Sequence, residues 1–200
     1  SLLSFVVGFT DAFFVYILSS YFSEVIGSDN VGGFYLGAFL VVFGMLWGLH
    51  GIIRRVGGSI RSLFLFILAA VVFGLLLSSL PIGWPGAICI VLLLIVSNAA
   101  WVVLDVILEE HSSDASTGRV RGLHLTIMNT GFLLAPFLST HIVDSYGFGG
   151  VFFGITLGYA VLFALAILFL RNGHAYSSAR MDASDALKKM LRDKNLLRIY

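Results

Sequence analysis

The chain has 200 residues, of which 58% are hydrophobic and 12% charged, with a formal net charge of +1. A soluble domain carries about 25% charged residues, so this chain cannot cover itself with polar surface in water, and its solvent is largely lipid. Its single cysteine, Cys89, excludes an intramolecular disulfide framework and a multi-cysteine metal site. Cys89 lies in an apolar run and is expected to be a small buried hydrophobe. Most of the chain has no basic face to offer a nucleic acid.

A helix needs about 20 mostly apolar residues to cross a bilayer, and six stretches qualify. In chain order they are Leu2 to Phe22, Phe34 to Ile53, Ser62 to Leu80, Trp84 to Leu108, Leu123 to Val143 and Phe148 to Leu170. The breaks between them carry turn chemistry: Gly27-Ser28-Asp29-Asn30, Gly57-Gly58, Pro81 to Pro85, and Gly147 to Gly150. Helices are expected because lipid leaves no backbone group unpaired, and the alternation of a membrane barrel strand is absent. Span one starts at the first residue of the chain with no charged region or cleavage site before it. It does not read as a signal peptide, and a chain truncated at its N-terminus is the expectation. The predicted class is an all-α integral membrane protein, with residues 1–171 as a six-helix bundle.

The twelve Lys and Arg residues fall in three places. Arg54, Arg55 and Arg61 flank the loop between spans two and three, and Arg119 and Arg121 lie between spans four and five. The other seven, from Arg171 to Arg198, follow span six. The loops after spans one, three and five have none. The positive-inside rule therefore predicts that loops 2–3 and 4–5 and the tail are cytoplasmic in a multi-pass protein of the cell membrane. Residues 172–200 read as a cytoplasmic linker. Within it Leu187, Met190 and Leu191 share one helical face with Lys188, Lys189, Arg192 and Lys194 around it, a basic amphipathic helix suited to a membrane surface. The renewed apolar run from Leu196 points toward a seventh span.

Polar residues inside the spans are the candidate site. Asp11 lies about 13 Å into span one at 1.5 Å per residue, where a charge costs from about 2.5 to over 10 kcal/mol. It is expected to face the bundle interior or a wet cavity, as a proton-coupling or substrate-contacting carboxylate or as a structural acid bonded to a neighbouring helix. Asn98, Trp101 and Asp105 share one face of span four. Asn98 and Trp101 are deep enough to line a cavity, or to pack between helices. Asp105 lies near the cytoplasmic end, where an ion pair with Arg54, Arg55 or Arg61 is expected. On span five, Thr126, Asn129, Leu133, Pro136 and Thr140 form a stripe. Asn129 is a candidate solute contact or an interhelical bond. Pro136 can kink the helix, and Gly131 permits close helix approach. His50, His124 and His141 lie near span ends, where interfacial bonding is ordinary.

Two segments hint at an internal repeat. Ile52-Ile53-Arg54-Arg55-Val56-Gly57 leaves span two, and Ile142-Val143-Asp144-Ser145-Tyr146-Gly147 leaves span five. Each is an apolar pair, two polar residues, an apolar residue and Gly, on opposite sides of the membrane. Spans one to three and four to six then form two three-helix units of inverted topology, a mark of secondary transporters.

Three further segments resemble the major facilitator superfamily, specifically its N-terminal six-helix half. His50 to Arg61 reads HGIIRRVGGSIR, similar to the family's G-x-x-x-D-R-x-G-R-R. Arg55 and Gly57 fall on the R-x-G core, and Arg54 stands where the family has an acid. Thr117 to Leu123 looks like the family's R-G-x-x-x-G-L run. Gly131 to Thr140, with Ala135-Pro136 and Ser139-Thr140, resembles the G-x-x-x-G-P-x-x-G-G segment of its antiporters. The resemblance implies secondary active transport of a small solute by alternating access, as symport or antiport, with a proton as candidate coupling ion. It implies a cytoplasmic latch of Arg54, Arg55, Gly57 and Arg61 with Asp105, and a second six-helix half as partner, in this chain or another. No cofactor is expected, and membrane lipid is the surrounding partner. The alternatives are a non-transporting scaffold or receptor on the same fold, and an intramembrane enzyme. Against the enzyme, G-x-S-G and H-E-x-x-H do not occur, and with no P-loop pattern the chain is not expected to hydrolyse ATP itself.

Overall fold

Apolar runs of this length, punctuated by Gly and Pro, fold as helices that satisfy their own backbone. The computed structural model describes residues 2–27, 29–110 and 117–170, with side chains for 2–27, 29–108, 118 and 122–170. The basic amphipathic tail, His111 and His174, and the side chains of Glu109, Glu110, Arg119 and Arg121 lie outside these. Five helices follow in order: α1 Leu2–Ile26, α2 Gly32–Val56, α3 Ser59–Ser79, α4 Trp84–Glu110 and α5 Thr117–Leu170. All five contain stretches long and apolar enough to cross a membrane.

The turns follow local chemistry. Gly57 ends α2 at φ 96°, and the amides of Gly57 and Gly58 both donate to the Ile53 carbonyl, at 3.1 and 2.9 Å. Such a left-handed cap suits glycine. Pro85 sits in the first turn of α4, where its missing N–H costs no helical bond.

Six separate spans were expected, and the structure instead carries helix through the last break. The 54 residues of α5 correspond to about 80 Å of helix at 1.5 Å per residue, far more than a hydrocarbon core of about 30 Å. Gly147 interrupts it at φ 64° and ψ −168°, a combination essentially confined to glycine. The helix resumes at residue 148 with no loop, so α5 has a first arm, 117–146, and a second arm, 148–170.

Small residues set the packing. Gly8 of α1 faces the backbone of Met128 on the first arm, and Gly131 faces the backbone of α1 in return. Gly158 of the second arm seats Thr10, and Gly74 of α3 seats Thr156. Where lipid is as apolar as the side chains, such close approach is a main source of association. The Phe64 and Phe163 rings meet edge-on at 5.5 Å between α3 and the second arm. The Cys89 thiol, buried as expected, donates to the Phe73 carbonyl at 3.6 Å across α3 and α4. The core is aromatic and aliphatic: Phe14, Tyr21, Phe22, Ile67, Ile90, Leu93 and Phe152 are almost wholly buried. By contrast α2 exposes Leu36, Leu40, Phe43 and Trp47, and the first arm exposes Leu133 and Phe137, surfaces that match lipid or another apolar partner.

Candidate functional site

Asp11 sits on α1 between Thr10 and Ala12, in the helix that packs against both arms of α5. The Tyr159 hydroxyl, on the second arm, donates to Asp11 Oδ1 at 2.6 Å. Tyr159 is 1% exposed, while Asp11 is half-buried. A bond this short to a carboxylate is a strong, charge-assisted one. The placement follows from the packing: Gly158 lets Thr10 close against the second arm, and the next residue on each helix is then the tyrosine and the acid.

A third helix reaches the same point. Ser97 of α4 is 5% exposed, its hydroxyl donates to the Leu94 carbonyl at 3.2 Å, and it also reaches the Tyr159 hydroxyl. The Thr10 hydroxyl, 2% exposed, is buried with no bonding partner. Thr10, Asp11, Ser97 and Tyr159 thus form one polar cluster where α1, α4 and the second arm meet. It can hold and release a proton on Asp11 with a hydroxyl donor fixed beside it. Among the described residues, no group of three or more His, Cys, Asp or Glu side chains could hold a metal ion.

The other expected residues are more dispersed. Asn98 donates from Nδ2 to the Leu94 carbonyl of its own helix at 2.8 Å and is half-buried, as is Trp101. Asn98 lies one residue from Ser97, so it stands at the level of the Asp11–Tyr159 bond but about 100° round the helix. Asp105 is half-buried and has an interaction partner of its own. Arg54, Arg55 and Arg61 are exposed, with Arg61 folded against Gly57. Asn129 is exposed on the first arm, between Thr126, bonded to the Gly122 carbonyl at 2.9 Å, and Thr130, bonded to that of Thr126 at 3.0 Å. Pro136 stays within helical backbone, and its carbonyl accepts from Ser139 and Thr140 at 3.2 and 2.7 Å. The non-helical backbone of α5 lies at Gly147, within the Gly147 to Gly150 break expected from the sequence.

Thr10, Ser97 and Tyr159 of this cluster were not singled out in the sequence. Tyr159 and Ser97 are a tyrosine and a serine deep in apolar runs, and the available signal is that a buried hydroxyl in lipid must find a partner. His124 was expected to bond at the interface. It is 4% exposed and shares a hydrogen bond with Ser4 across α1 and the first arm. The reason is packing: the Gly8–Met128 and Gly131 contacts draw α1 so close that the neighbouring turn is sealed.

A family model described as Major Facilitator Superfamily matches residues 1–200. No curated protein matches the chain, and no solved structure matches it.

Proposed function

The chain belongs to the Major Facilitator Superfamily and is a multi-pass membrane protein of a transport family, and on that footing we propose that it moves a small solute by alternating access, coupled to a proton carried on Asp11. The observation that carries this is the half-buried Asp11 carboxylate, held by a hydroxyl across two helices in an apolar bundle. A carboxylate at that depth is too costly to retain without use or compensation. One charge moved through 100 mV is worth about 2.3 kcal/mol, enough to drive substantial accumulation. Asn98, Trp101 and Asn129 contribute solute contacts. Arg54, Arg55 and Arg61 latch the cytoplasmic side with Asp105, and Gly57 shapes their turn.

The two arms of α5 are separate crossings in this proposal, so the bundle has six spans in two inverted three-helix repeats. The packing supports it. Exchanging α1 with α4, α2 with the first arm, and α3 with the second arm maps the most extensive helix pairings onto one another. The pairing of α1 with the second arm corresponds to α3 with α4, that of α1 with the first arm to α2 with α4, and that of α3 with the second arm to itself. Loops 2–3 and 4–5 and the tail lie in the cytoplasm by charge. The six spans are the N-terminal half of a facilitator, and the exposed faces of α2 and the first arm meet a second half. A non-transporting scaffold is the rival, favoured by Asp11 and Asn98 both being bonded within the bundle.

The test is reconstitution of the native protein in vesicles loaded with a pH-sensitive dye, challenged with hexoses, amino acids, short carboxylic acids and lipophilic cations. A solute-dependent proton flux is expected, and Asp11→Asn abolishes it while solute counterflow persists. Undiminished proton flux in Asp11→Asn removes the acid from the mechanism, and no flux or counterflow with any solute favours the scaffold.

A further inference from the structure

Each hydroxyl has one proton to give, and this makes the cluster around Asp11 directional. Tyr159 gives its proton to Asp11 Oδ1, so its oxygen is left to accept, and Ser97 is within reach. Ser97 has a second acceptor in the Leu94 carbonyl, at the long distance of 3.2 Å. The ionised acid therefore favours a chain running from Ser97 through Tyr159 to Asp11, since a hydrogen bond to a charged group is about twice as strong as a neutral one. Once Asp11 takes a proton that advantage is lost, and the Ser97 hydroxyl turns fully to its own helix.

Among the described residues, few other titratable groups stand near the acid. From the second arm, Tyr159 is the titratable group set against it. From the first arm, Gly131 packs on the backbone of α1, and His124 stands at the level of Ser4, seven residues and about 10 Å along α1. From α4, Ser97 and Asn98 are neutral, and Asp105 is eight residues and about 12 Å further along that helix.

We propose that Tyr159 and Ser97 are positioning residues: Tyr159 holds the Asp11 carboxylate, and Ser97 transmits its protonation state to α4. The proposal rests on Asp11 being the proton carrier. It gives α4, the helix with Asn98 and Trp101, a way to respond to a proton bound on α1. Neither hydroxyl has to touch the solute.

The experiment is a pH titration of the native protein in lipid nanodiscs, followed by infrared difference spectroscopy of the protonated carboxyl C=O band. The probe is the proton itself, so no solute is needed. Asp11→Asn assigns the band by deleting it. In Tyr159→Phe the band moves to higher wavenumber, because the carbonyl loses its donor. The pH of half-protonation moves by about one unit, a tenfold change in proton affinity and the size of one charge-assisted hydrogen bond. Ser97→Ala leaves the band in place but shifts the midpoint by a smaller amount, and adds no shift in the Tyr159→Phe background, as expected for residues acting in series. If Tyr159→Phe folds poorly, the Ser97→Ala midpoint decides, and an unmoved midpoint overturns the proposal. So does a Tyr159→Phe spectrum identical to the wild type. Loss of the band in Asp11→Asn with proton-coupled flux retained instead refutes the transport role of Asp11 and leaves the hydrogen-bond chain standing.

Discussion

Gly131→Ala tests the helix contact on which the site is built. A Cβ at residue 131 would lie 2.6 Å from the Phe9 amide nitrogen, 2.9 Å from the Phe5 carbonyl oxygen and 3.1 Å from the Gly8 carbonyl carbon. All three are backbone atoms of α1, so no side chain can swing aside. Ordinary contact begins at 3.4 Å, and 3.4 less 2.6 requires α1 to retreat by about 0.8 Å. Overpacking of this kind costs about 1–3 kcal/mol. Against it stands the ordinary gain of replacing a helical glycine by alanine, about 0.5–1 kcal/mol. Gly154 supplies the control, since it lies in the same helix and a Cβ there meets nothing within 4 Å. Gly154→Ala is expected to be neutral or stabilising, and Gly131→Ala destabilising by about 1–2 kcal/mol net. At about 2–4 °C per kcal/mol for a chain of this size, the two variants separate by several degrees. Thermal unfolding in mild detergent, read as loss of the monodisperse species on size exclusion, measures this. Equal melting temperatures for the two variants refute the close approach of α1 and α5.

Gly147→Ala isolates a torsional cost, because a Cβ there meets nothing within 4 Å while φ is 64° and ψ −168°. Such backbone costs a non-glycine residue about 1–3 kcal/mol, seen as a lowered melting temperature, and an unchanged value refutes the break at this residue. Thr10→Val replaces a buried, unpartnered hydroxyl with a methyl group of the same shape. Relief of the desolvation penalty, about 1–3 kcal/mol at most, leaves the variant as stable as the wild type or more so. A melting temperature lowered by several degrees would show that the hydroxyl is bonded after all.

Much of the fold was legible because its signals are local. An apolar run of bilayer length makes a helix wherever it stands, and Gly57 and Pro85 mark an end and a start through their own torsions. The break at Gly147 fell within the expected segment, although the helix resumes there without a loop. Asp11 stood out for the same reason, as a charge where lipid tolerates few.

What the sequence alone could not decide was which faces meet. In a soluble helix a polar stripe reports the outside, but α1 is apolar nearly all round, with Asp11 the only charge in its buried stretch. Its facing is chosen by shape, through Gly8, Gly131 and Gly158 admitting backbone or side chain from a neighbour. Tyr159 therefore found Asp11 from 148 residues away, and His124 was sealed against Ser4 from 120 residues away. Length and hydropathy determined that this chain crosses the membrane and where it turns. Only the tertiary packing decided which hydroxyls stand beside the acid, because in lipid the contacts are selected by fit and hydrogen bonding, and neither leaves a periodic trace in the sequence.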